Sequence, residues 1–387
     1  MKSKLLILFI LIPFFSIGQN FKMASKDSLN GKPKNTIAFS GYVNTIYNYD
    51  FVGTSSKYPA LNIVSIPVGN VLKEPSTSFV VFQTRLRFKS EHQTKIGAVR
   101  VYVEGDFVNG SANNSFRIRH ALISLNKWDF GQTWSNFADE DAWPNMTDYD
   151  GPPTGIWPRP TMIRYNAFRG KNNSLSFSVE GPSLEYEEHH QIDSIVSTAN
   201  QDIPDFTARY RYEGDKFHFQ AAGVLRSIKY KNSLDSSFNY ELGYGISLST
   251  GITMFKRDRL HAQGTIGKGI SRYLVGFEGY NWDAVPTGNG DIELVPAIGG
   301  FIGYDHYWDK AKKFSSTAVI GYIKIQNDVL PTFPGDFMTG YWGLVNFYYH
   351  PIDNLDFAIE YVTASREDAL KQSGTGARFQ FLVQYAF

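Results

Sequence analysis

The last eleven residues of the chain, ARFQFLVQYAF (377–387), carry the pattern that decides the fold. Apolar and polar side chains alternate there with a period of two, which is the period of a β-strand. One face holds Ala377, Phe379, Phe381, Val383, Tyr385 and Phe387. The opposite face holds Arg378, Gln380 and Gln384. The segment therefore predicts a strand with one apolar face and one polar face.

The same alternation recurs from Thr36 to the end of the chain. Sixteen strands are predicted, beginning near residues 36, 78, 95, 115, 127, 160, 173, 203, 216, 236, 258, 292, 314, 338, 355 and 376. The connections between them are alternately short and long. An even number of antiparallel strands with this alternation is typical of transmembrane β-barrels of outer membranes, whose short turns face the periplasm.

The composition excludes several other classes of protein. The mean hydropathy is below zero, and the longest apolar run has 13 residues, whereas a membrane-spanning helix needs about 20. A net charge of +1 lacks the basic excess of a nucleic-acid binder. Because the chain has no Cys, disulfides and Cys-ligated metals are excluded. Because of the low net charge, no nucleic-acid partner is expected.

The polar faces decide between a soluble β-protein and a membrane barrel. They carry more Arg, Asp and Glu than a packed interior can accept, so they must line water. A sandwich would need two or three domains, and a propeller would need a repeat of about 40 to 50 residues; neither pattern is present. The apolar faces, such as the one assigned to Val80, Phe82, Leu86 and Phe88, would then face lipid. We predict an all-β fold, a transmembrane antiparallel β-barrel wide enough for an aqueous channel.

The N-terminus has the pattern of an export signal. Lys2 and Lys4 precede the apolar run Leu5 to Ile17, and the small residues Ser16 and Gly18 lie at its end, at the positions that a signal peptidase requires. This order is typical of a secretory signal peptide, which we assign to residues 1–18. Residues 19–35 form a short polar leader that is expected to be mobile. Residues 36–387 are predicted to form a single barrel domain.

Arginine is the chemically informative residue of the predicted interior. A guanidinium group stays ionised and its planar donors match carboxylate and phosphate. Several of them along a narrow pore would attract anions. Ion pairs that only hold the barrel wall together are the alternative interpretation for part of the set. The candidate pore-lining arginines are Arg85, Arg87, Arg100, Arg117, Arg119, Arg159, Arg164, Arg209 and Arg211.

The connection at about 134–159 is the candidate constriction loop. It is rich in Trp and Pro, which suits a stiff segment folded into the channel. Its candidate acids are Asp139, Glu140, Asp141 and Asp148. If they oppose the arginines, they create a field across the channel; otherwise they pair with the wall or face solvent. Their spacing does not match a Ca²⁺ loop, so neither a metal nor a cofactor is predicted.

Particular stretches resemble known outer-membrane proteins. The C-terminal strand ending in Phe387 looks like the signal read by the barrel-assembly machinery. Residues 116–121 and 130–137 are similar to the approach to the third loop in general porins. The fuller pattern resembles the DcaP-like trimeric porins, with its most specific part at 117–165. The matching residues are 131–135, 148–155, Arg159, Arg164-Tyr165, 267–270, Arg272-Tyr273, Glu360-Tyr361 and Arg366-Glu367.

The resemblance implies a homotrimer in the bacterial outer membrane, surrounded by lipid, that passes small anionic solutes such as dicarboxylates by diffusion. DcaP-like proteins can carry a helical N-terminal extension, and this chain has only its short leader. A plugged or receptor-like barrel is the alternative function. A lipid-acting barrel enzyme is a third, but His120, His218 and His261 lack a recognisable nucleophile context. We therefore expect that the protein has no enzymatic activity.

Overall fold

A computed structural model describes residues 21–29, 31–52, 60–69, 74–108, 115–186, 198–232, 234–287, 289–326 and 335–387. The predicted signal peptide lies outside the described residues. The first strands are β1 (Phe21–Ala24), β2 (Ser28–Leu29), β3 (Lys32–Pro33), β4 (Asn35–Val52), β5 (Ser76–Val80), β6 (Arg85–Thr94), β7 (Gly97–Asp106) and β8 (Arg117–Leu125). They are followed by β9 (Trp128–Gln132), β10 (Thr161–Arg169), β11 (Asn173–Glu180), β12 (Thr198–Asn200), β13 (Asp205–Glu213), β14 (Phe217–Lys231), β15 (Phe238–Met254) and β16 (Asp258–Lys268). The last are β17 (Ala284–Pro286), β18 (Ile292–Leu294), β19 (Pro296–Tyr307), β20 (Phe314–Ile325), β21 (Phe337–Ile352), β22 (Leu355–Asp368) and β23 (Ser373–Ala386).

The long strands form one closed antiparallel barrel. The main sheet of the described residues contains 19 strands. Two of them, β1 and β12, are short additions, and β5 and β6 both pair with β4 as two parts of one barrel strand. This leaves the sixteen barrel strands that the alternation predicts. The ring closes where β23 pairs with β4, for example Phe381 with Tyr47.

The two ends of the barrel differ in their connections. Two to six residues join β6–β7, β8–β9, β10–β11, β13–β14, β15–β16, β19–β20 and β21–β22. The connections at the other end range from four residues, at 369–372 between β22 and β23, to 28 residues, at 133–160 between β9 and β10. One end therefore has only short turns, and all the long loops lie at the other, where the connections 232–237 and 369–372 are also short.

Burial in the barrel is inverted relative to a soluble protein. On β15, the apolar Leu242 and Ile246 face outward and are 63% and 55% exposed. Ser247 and Ser249 on the same strand face inward and are 3% and 4% exposed. Large exposed hydrophobic residues occur on every long strand except β7. An exposed apolar band around a polar interior is the arrangement of a barrel whose outer surface meets lipid.

The N-terminal leader contains short strands. Three short strands lie within 21–33, and β1 pairs with the start of β4, with Phe21 opposite Phe39. The backbone of Phe387 pairs with Gly41, so β1 continues the edge of β4 beyond the end of the chain. An unpaired sheet edge is unfavourable, which accounts for the order of this segment.

The second barrel strand differs from the prediction in which of its residues face inward. The assignment of Val80 to the outer face is wrong, because Val80 is 2% exposed while its neighbours Phe79 and Val81 are 74% and 50% exposed. Residues 81–84 interrupt the strand, with the Thr84 N–H donating to the Val81 carbonyl (3.0 Å). An irregularity of this kind changes which side chains face inward, so the alternation cannot be carried across it.

Helical structure is limited to two single turns in the described residues, Glu140–Ala142 and Ser271–Tyr273. None of the described helices has the length and apolar character needed to cross a membrane.

Candidate functional site in the barrel interior

The connection 133–160, here called the interior loop, contacts inward-facing side chains on several sides of the barrel. Its wall partners are Glu180 on β11, Arg211 on β13, His218 and Gln220 on β14, Ser249 on β15, Gln263 on β16, Asp305 on β19, Asn346 on β21 and Glu360 on β22. Because these strands lie on different sides of the ring, the loop lies across the barrel interior.

The first part of the interior loop is fixed by buried carboxylates. Glu180 accepts hydrogen bonds from the Ser135 hydroxyl (3.0 Å) and the Asn136 N–H (3.1 Å). Asp139 accepts from Arg211 (2.7 Å) and from Ser249 (2.6 Å). Asp139 is therefore an anchor of the loop and is itself buried.

A second set of anchors fixes the middle of the loop. Glu360 accepts the backbone N–H groups of Thr147 (2.8 Å) and Asp148 (2.7 Å). The Asp148 carboxylate accepts the N–H of Leu61, from the connection between β4 and β5 (3.0 Å). Predicted acid Asp148 therefore joins two loops to each other.

Apolar packing fills the interior on the side of β14 to β22. Inward-facing residues of these strands, including Val319, Ile323 and Trp342, form one buried cluster with residues from three connections. The contributions from the connections are Leu61, Ile63, Val64 and Ile66, then Phe137, Ala138 and Ile156, then Ile270, Tyr273, Leu274, Phe277 and Val285. We call this region the filled side.

The opposite side carries the arginines of β6 and β8. Arg85 (3.3 Å), Arg87 and Arg119 (3.1 Å) surround the single carboxylate of Glu104. Asp106 pairs with Arg117 and Arg119, each at 2.9 Å. Four guanidinium groups thus share these two carboxylates, and part of the positive charge is left over. We call this region the arginine side.

A break in the strand register concentrates polar groups on the arginine side. Between β7 and β8 the pairing shifts after Glu104, which pairs with His120, while the next residue Gly105 pairs with Ile118. Arg119 is the extra residue, so Arg119 and His120 both point inward, where they are 1% and 4% exposed. Bulges redirect side chains in this way.

Arg159 lies at the end of the interior loop, against aromatic rings. Its guanidinium is 4.6 Å from the ring centre of Trp134 and 5.0 Å from that of Trp157. It donates to the Trp157 carbonyl (3.4 Å). Within the described parts of the chain no carboxylate pairs with Arg159. Cation–π contacts fix its position without neutralising its charge.

Arg164 and Arg209 also lack a carboxylate partner among the residues that the structure describes. Arg164 on β10 is buried and donates to the Trp134 carbonyl. The buried Nε of Arg209, on β13, has no hydrogen-bond acceptor. With Arg159, they form a group of cations whose charge is not balanced by a direct ion pair.

The remaining predicted residues are distributed differently. Arg100 pairs with Glu91 (2.8 Å) near the short-turn end, and its side chain is 53% exposed. Arg211 is already paired with Asp139 and with Asp141 (2.5 Å). Glu140 is exposed between these two acids. The structure therefore groups the interior arginines but leaves Arg100 apart from them.

Two cavities flank the segment from Trp157 to Arg159. The one toward the long loops has a volume of about 300 Å³ and is lined by Arg159, Ser183, Glu185, Arg272 and Glu278, among others. The other has a volume of about 260 Å³ and is lined by Tyr42, Arg85, Tyr149, Trp157 and Gln384, among others. The second cavity borders the arginine side through Arg85, whereas the first is bordered by Arg159 and Arg272.

Glu185 joins two of the long connections at the outer cavity. Its carboxylate accepts the N–H groups of Gly279 (2.9 Å) and Asn281 (3.3 Å). Burial is the main cause that raises the pKa of Glu185 to about 7, and the nearby carboxylates of Asp283 and Glu278 add to it. This residue can therefore change its charge near neutral pH.

Sequence reasoning did not identify the residues that fill the interior. The segment 61–66 has four apolar residues among six, Leu61, Ile63, Val64 and Ile66, which was its only signal. Tyr149 was also missed, although its hydroxyl contacts Arg117, Arg119 (2.8 Å) and Asp106 (3.2 Å). The described residues contain no group of three or more His, Asp or Glu suited to a metal.

Comparisons with known proteins agree with this architecture. Residues 15–387 match the DcaP outer membrane protein family. The fold is similar to the outer membrane channel DcaP of Acinetobacter baumannii, with a TM-score of 0.79 and 21% identity over 94% of this chain and 100% of that one. It is also similar to an anion-selective porin from Comamonas acidovorans, with a TM-score of 0.61 and 9% identity over 91% and 100% of the two chains.

A third similar structure is OmpF of Salmonella typhi, with a TM-score of 0.55 and 12% identity over 92% of this chain and 98% of that one. No curated protein matches the sequence. Structural likeness at these identities shows the fold, and the family match covers nearly the whole chain. This chain therefore belongs to the DcaP outer membrane protein family, and its barrel is that of an outer-membrane channel of the porin type.

Proposed function

We propose that the protein lets small anionic solutes diffuse across the outer membrane past the arginine side and the further interior arginines Arg159, Arg164 and Arg209. The observation that carries this proposal is the group Arg159, Arg164 and Arg209, which has no carboxylate partner among the described residues. Cations without counter-ions in a confined aqueous passage attract anions and repel cations.

The wall beside this group strengthens the same field. Glu104 and Asp106 are buried beneath their arginines, whereas the side chains of Arg85, Arg87 and Arg117 are 16%, 32% and 35% exposed. A passing solute would therefore meet guanidinium groups rather than carboxylates. Water remains in contact with this side, while apolar packing closes the filled side.

Guanidinium geometry favours carboxylates within the class of anions. Each group can donate two parallel hydrogen bonds to one carboxylate. Two such groups can hold the two ends of a dicarboxylate, which is the solute class that the resemblance to DcaP-like porins implies. The Comamonas acidovorans protein of similar fold is described as anion-selective, which supports a preference of the same sign here.

The cellular setting follows the same family. We propose that a signal peptide at 1–18 is removed on export, that the strand ending at Phe387 is recognised by the barrel-assembly machinery, and that the protein forms a homotrimer. One of the similar structures, OmpT of Vibrio cholerae, is described in a trimer form. Membership of a channel family also favours a passive pore over an enzyme.

The test is the reversal potential of the refolded protein in a planar bilayer under a KCl gradient. The wild type should prefer Cl⁻, and the variant R159A/R164A/R209A should shift the reversal potential toward K⁺ preference. R100A is the matched control, because Arg100 is paired at the rim. An unchanged reversal potential in a folded, heat-modifiable triple variant would remove the arginine assignment.

A closed, receptor-like barrel is the second candidate function. The observation in its favour is the apolar cluster that fills one side of the interior. No conductance from correctly folded wild-type protein would support the closed barrel and contradict the diffusion channel.

A further inference from the structure

The outer wall of the barrel carries a groove that solute passage does not use. It has a volume of about 430 Å³ and lies at the long-loop ends of β16, β19 and β20. Its lining includes Tyr244, Ile246, Ile266 and Ile298, all of which face outward, together with Lys268 and Lys324. The groove is therefore apolar at its base and basic at its rim.

Strand pairing shows how the depression continues toward the middle of the wall. One row across the sheet reads Leu248, Gly264, Gly300 and Tyr322. Two adjacent glycines thus lie between two large outward-facing residues. A side chain added at Gly264 would meet no atom within 4 Å, so this position opens to the outside. Two neighbouring strands are about 5 Å apart, so the gap has the width of a hydrocarbon chain.

Two lysines mark the external end of this depression. Lys268 ends β16 and Lys324 is the penultimate residue of β20, and one strand, β19, lies between them. Lys268 lies 3.7 Å from Glu293. Lys324 has no carboxylate within pairing distance in the described parts of the chain. At the membrane–water boundary, a lysine above an apolar surface favours a phosphate group.

We propose that this groove binds one molecule of the phosphate-bearing glycolipid of the outer leaflet, lipid A. An acyl chain would lie in the depression over Gly264 and Gly300, and a phosphate would contact Lys324 and Lys268. The external position of both lysines decides for the outer leaflet, because the short-turn end of the barrel faces the opposite side. This site is separate from the channel interior.

The experiment is native mass spectrometry of the purified trimer or monomer in mild detergent, with lipid A added and phosphatidylglycerol as the comparison lipid. K324A should weaken lipid A binding about five-fold, the effect of one lysine near a charged lipid surface. G264L should abolish the bound fraction, because its side chain would occupy, without a clash, the depression proposed for the acyl chain.

Two matched controls separate the groove from general effects. G223L adds the same side chain on the outward face of β14, on the side of Ile246 away from β16, where the nearest atom would be 3.7 Å away. K313A removes a lysine at the short-turn end. Both should bind lipid A like the wild type. Heat-modifiable migration of each variant checks that it is folded.

Three results would overturn the proposal. One is equal binding of lipid A by wild type, K324A and G264L. The second is equal binding of phosphatidylglycerol and lipid A, which would mean that any phospholipid coats this wall. The third is loss of oligomers in G264L without any lipid, which would assign the groove to a contact between copies of the chain.

Discussion

The filled side and the arginine side of the interior are built from the same kind of strand but differ in what their loops supply. On the filled side, Leu61, Phe137 and Phe277 come from three connections and bury the inward faces of β14 to β22. On the arginine side, the interior loop contributes mainly Tyr149 and Trp157, which contact the guanidinium of Arg119, and Arg159, whose own guanidinium packs on Trp157. The loops therefore decide where water can remain.

The two sides are also stabilised differently. Burial of apolar surface contributes roughly 25 cal/mol per Å² and depends little on salt. The arginine side depends on buried carboxylates that hold several cations together, as Glu104 does for Arg85, Arg87 and Arg119. Removing one partner from such a group leaves a charge unpaired, which is costly. Substitutions should consequently have different effects on the two sides. They should loosen the packing on the filled side and alter the ion preference on the arginine side.

The largest expected effect comes from breaking the filled side. Phe137 is fully buried and packs against Tyr273, with ring centres 5.5 Å apart. F137A should destabilise the protein by about 3–5 kcal/mol, because it leaves a cavity in the cluster. The released loop should also make single-channel currents noisier.

Thermal loss of heat-modifiable migration measures the stability of F137A, and bilayer recording measures the currents. F381A is the control, because Phe381 is 40% exposed on the outer wall. If F137A were as stable and as quiet as F381A, the apolar packing would not be what holds the interior loop.

An intermediate effect should follow from one carboxylate on the arginine side. Glu104 is 2% exposed beneath its arginines. E104Q removes one negative charge and frees positive charge toward the passage, so the reversal potential should move further toward Cl⁻ preference. The expected sign is opposite to that of R159A/R164A/R209A.

E91Q is the matched control for E104Q, since Glu91 pairs with Arg100 at the rim. A shift toward K⁺ in E104Q, or equal shifts in both variants, would contradict an excess of positive charge at this wall.

The smallest expected effect is a pH dependence at the outer cavity. The pKa of Glu185 is raised to about 7, mainly by burial. A carboxyl group with a raised pKa binds its proton more tightly in the folded state. The contribution of Glu185 to folding stability is therefore lost as the pH rises from about 4.5 to about 7, although the ionised carboxylate accepts the N–H groups of Gly279 and Asn281 more strongly.

Lowering the pH from 8 to 6 should make the outer cavity less negative and increase Cl⁻ preference slightly. Reversal potentials at both pH values measure this change, and E185Q should abolish it. The same pH dependence in E185Q would assign it to another group.

Much of the architecture could be predicted from the sequence because lipid and water face opposite sides of every strand. The starts of the strands near 173, 258, 314 and 355 agree with β11, β16, β20 and β22. The alternation fails where backbone irregularities occur, at 81–84 and at Arg119. A register shift depends on pairing with the neighbouring strand, which the local pattern does not contain.

The candidate site was less accessible to sequence reasoning. Arg100 and Arg119 have the same pattern in the sequence, yet one is at the rim and the other is buried among two carboxylates. For Asp139 and Asp148 the sequence left open whether they oppose the arginines, pair with the wall or face solvent. They lie in the interior loop and accept hydrogen bonds that fix it. Which acid is an anchor depends on contacts between distant parts of the chain.

The sequence by itself determined a sixteen-stranded barrel with an apolar outside, because a period of two separates two solvents along each strand. It also determined that the interior is rich in arginine. Only the tertiary structure decided which arginines keep their charge unbalanced and which side of the interior is filled. The physical reason is that ion pairing and apolar packing join residues far apart in the chain, such as Asp148 with Leu61 and Thr147 with Glu360.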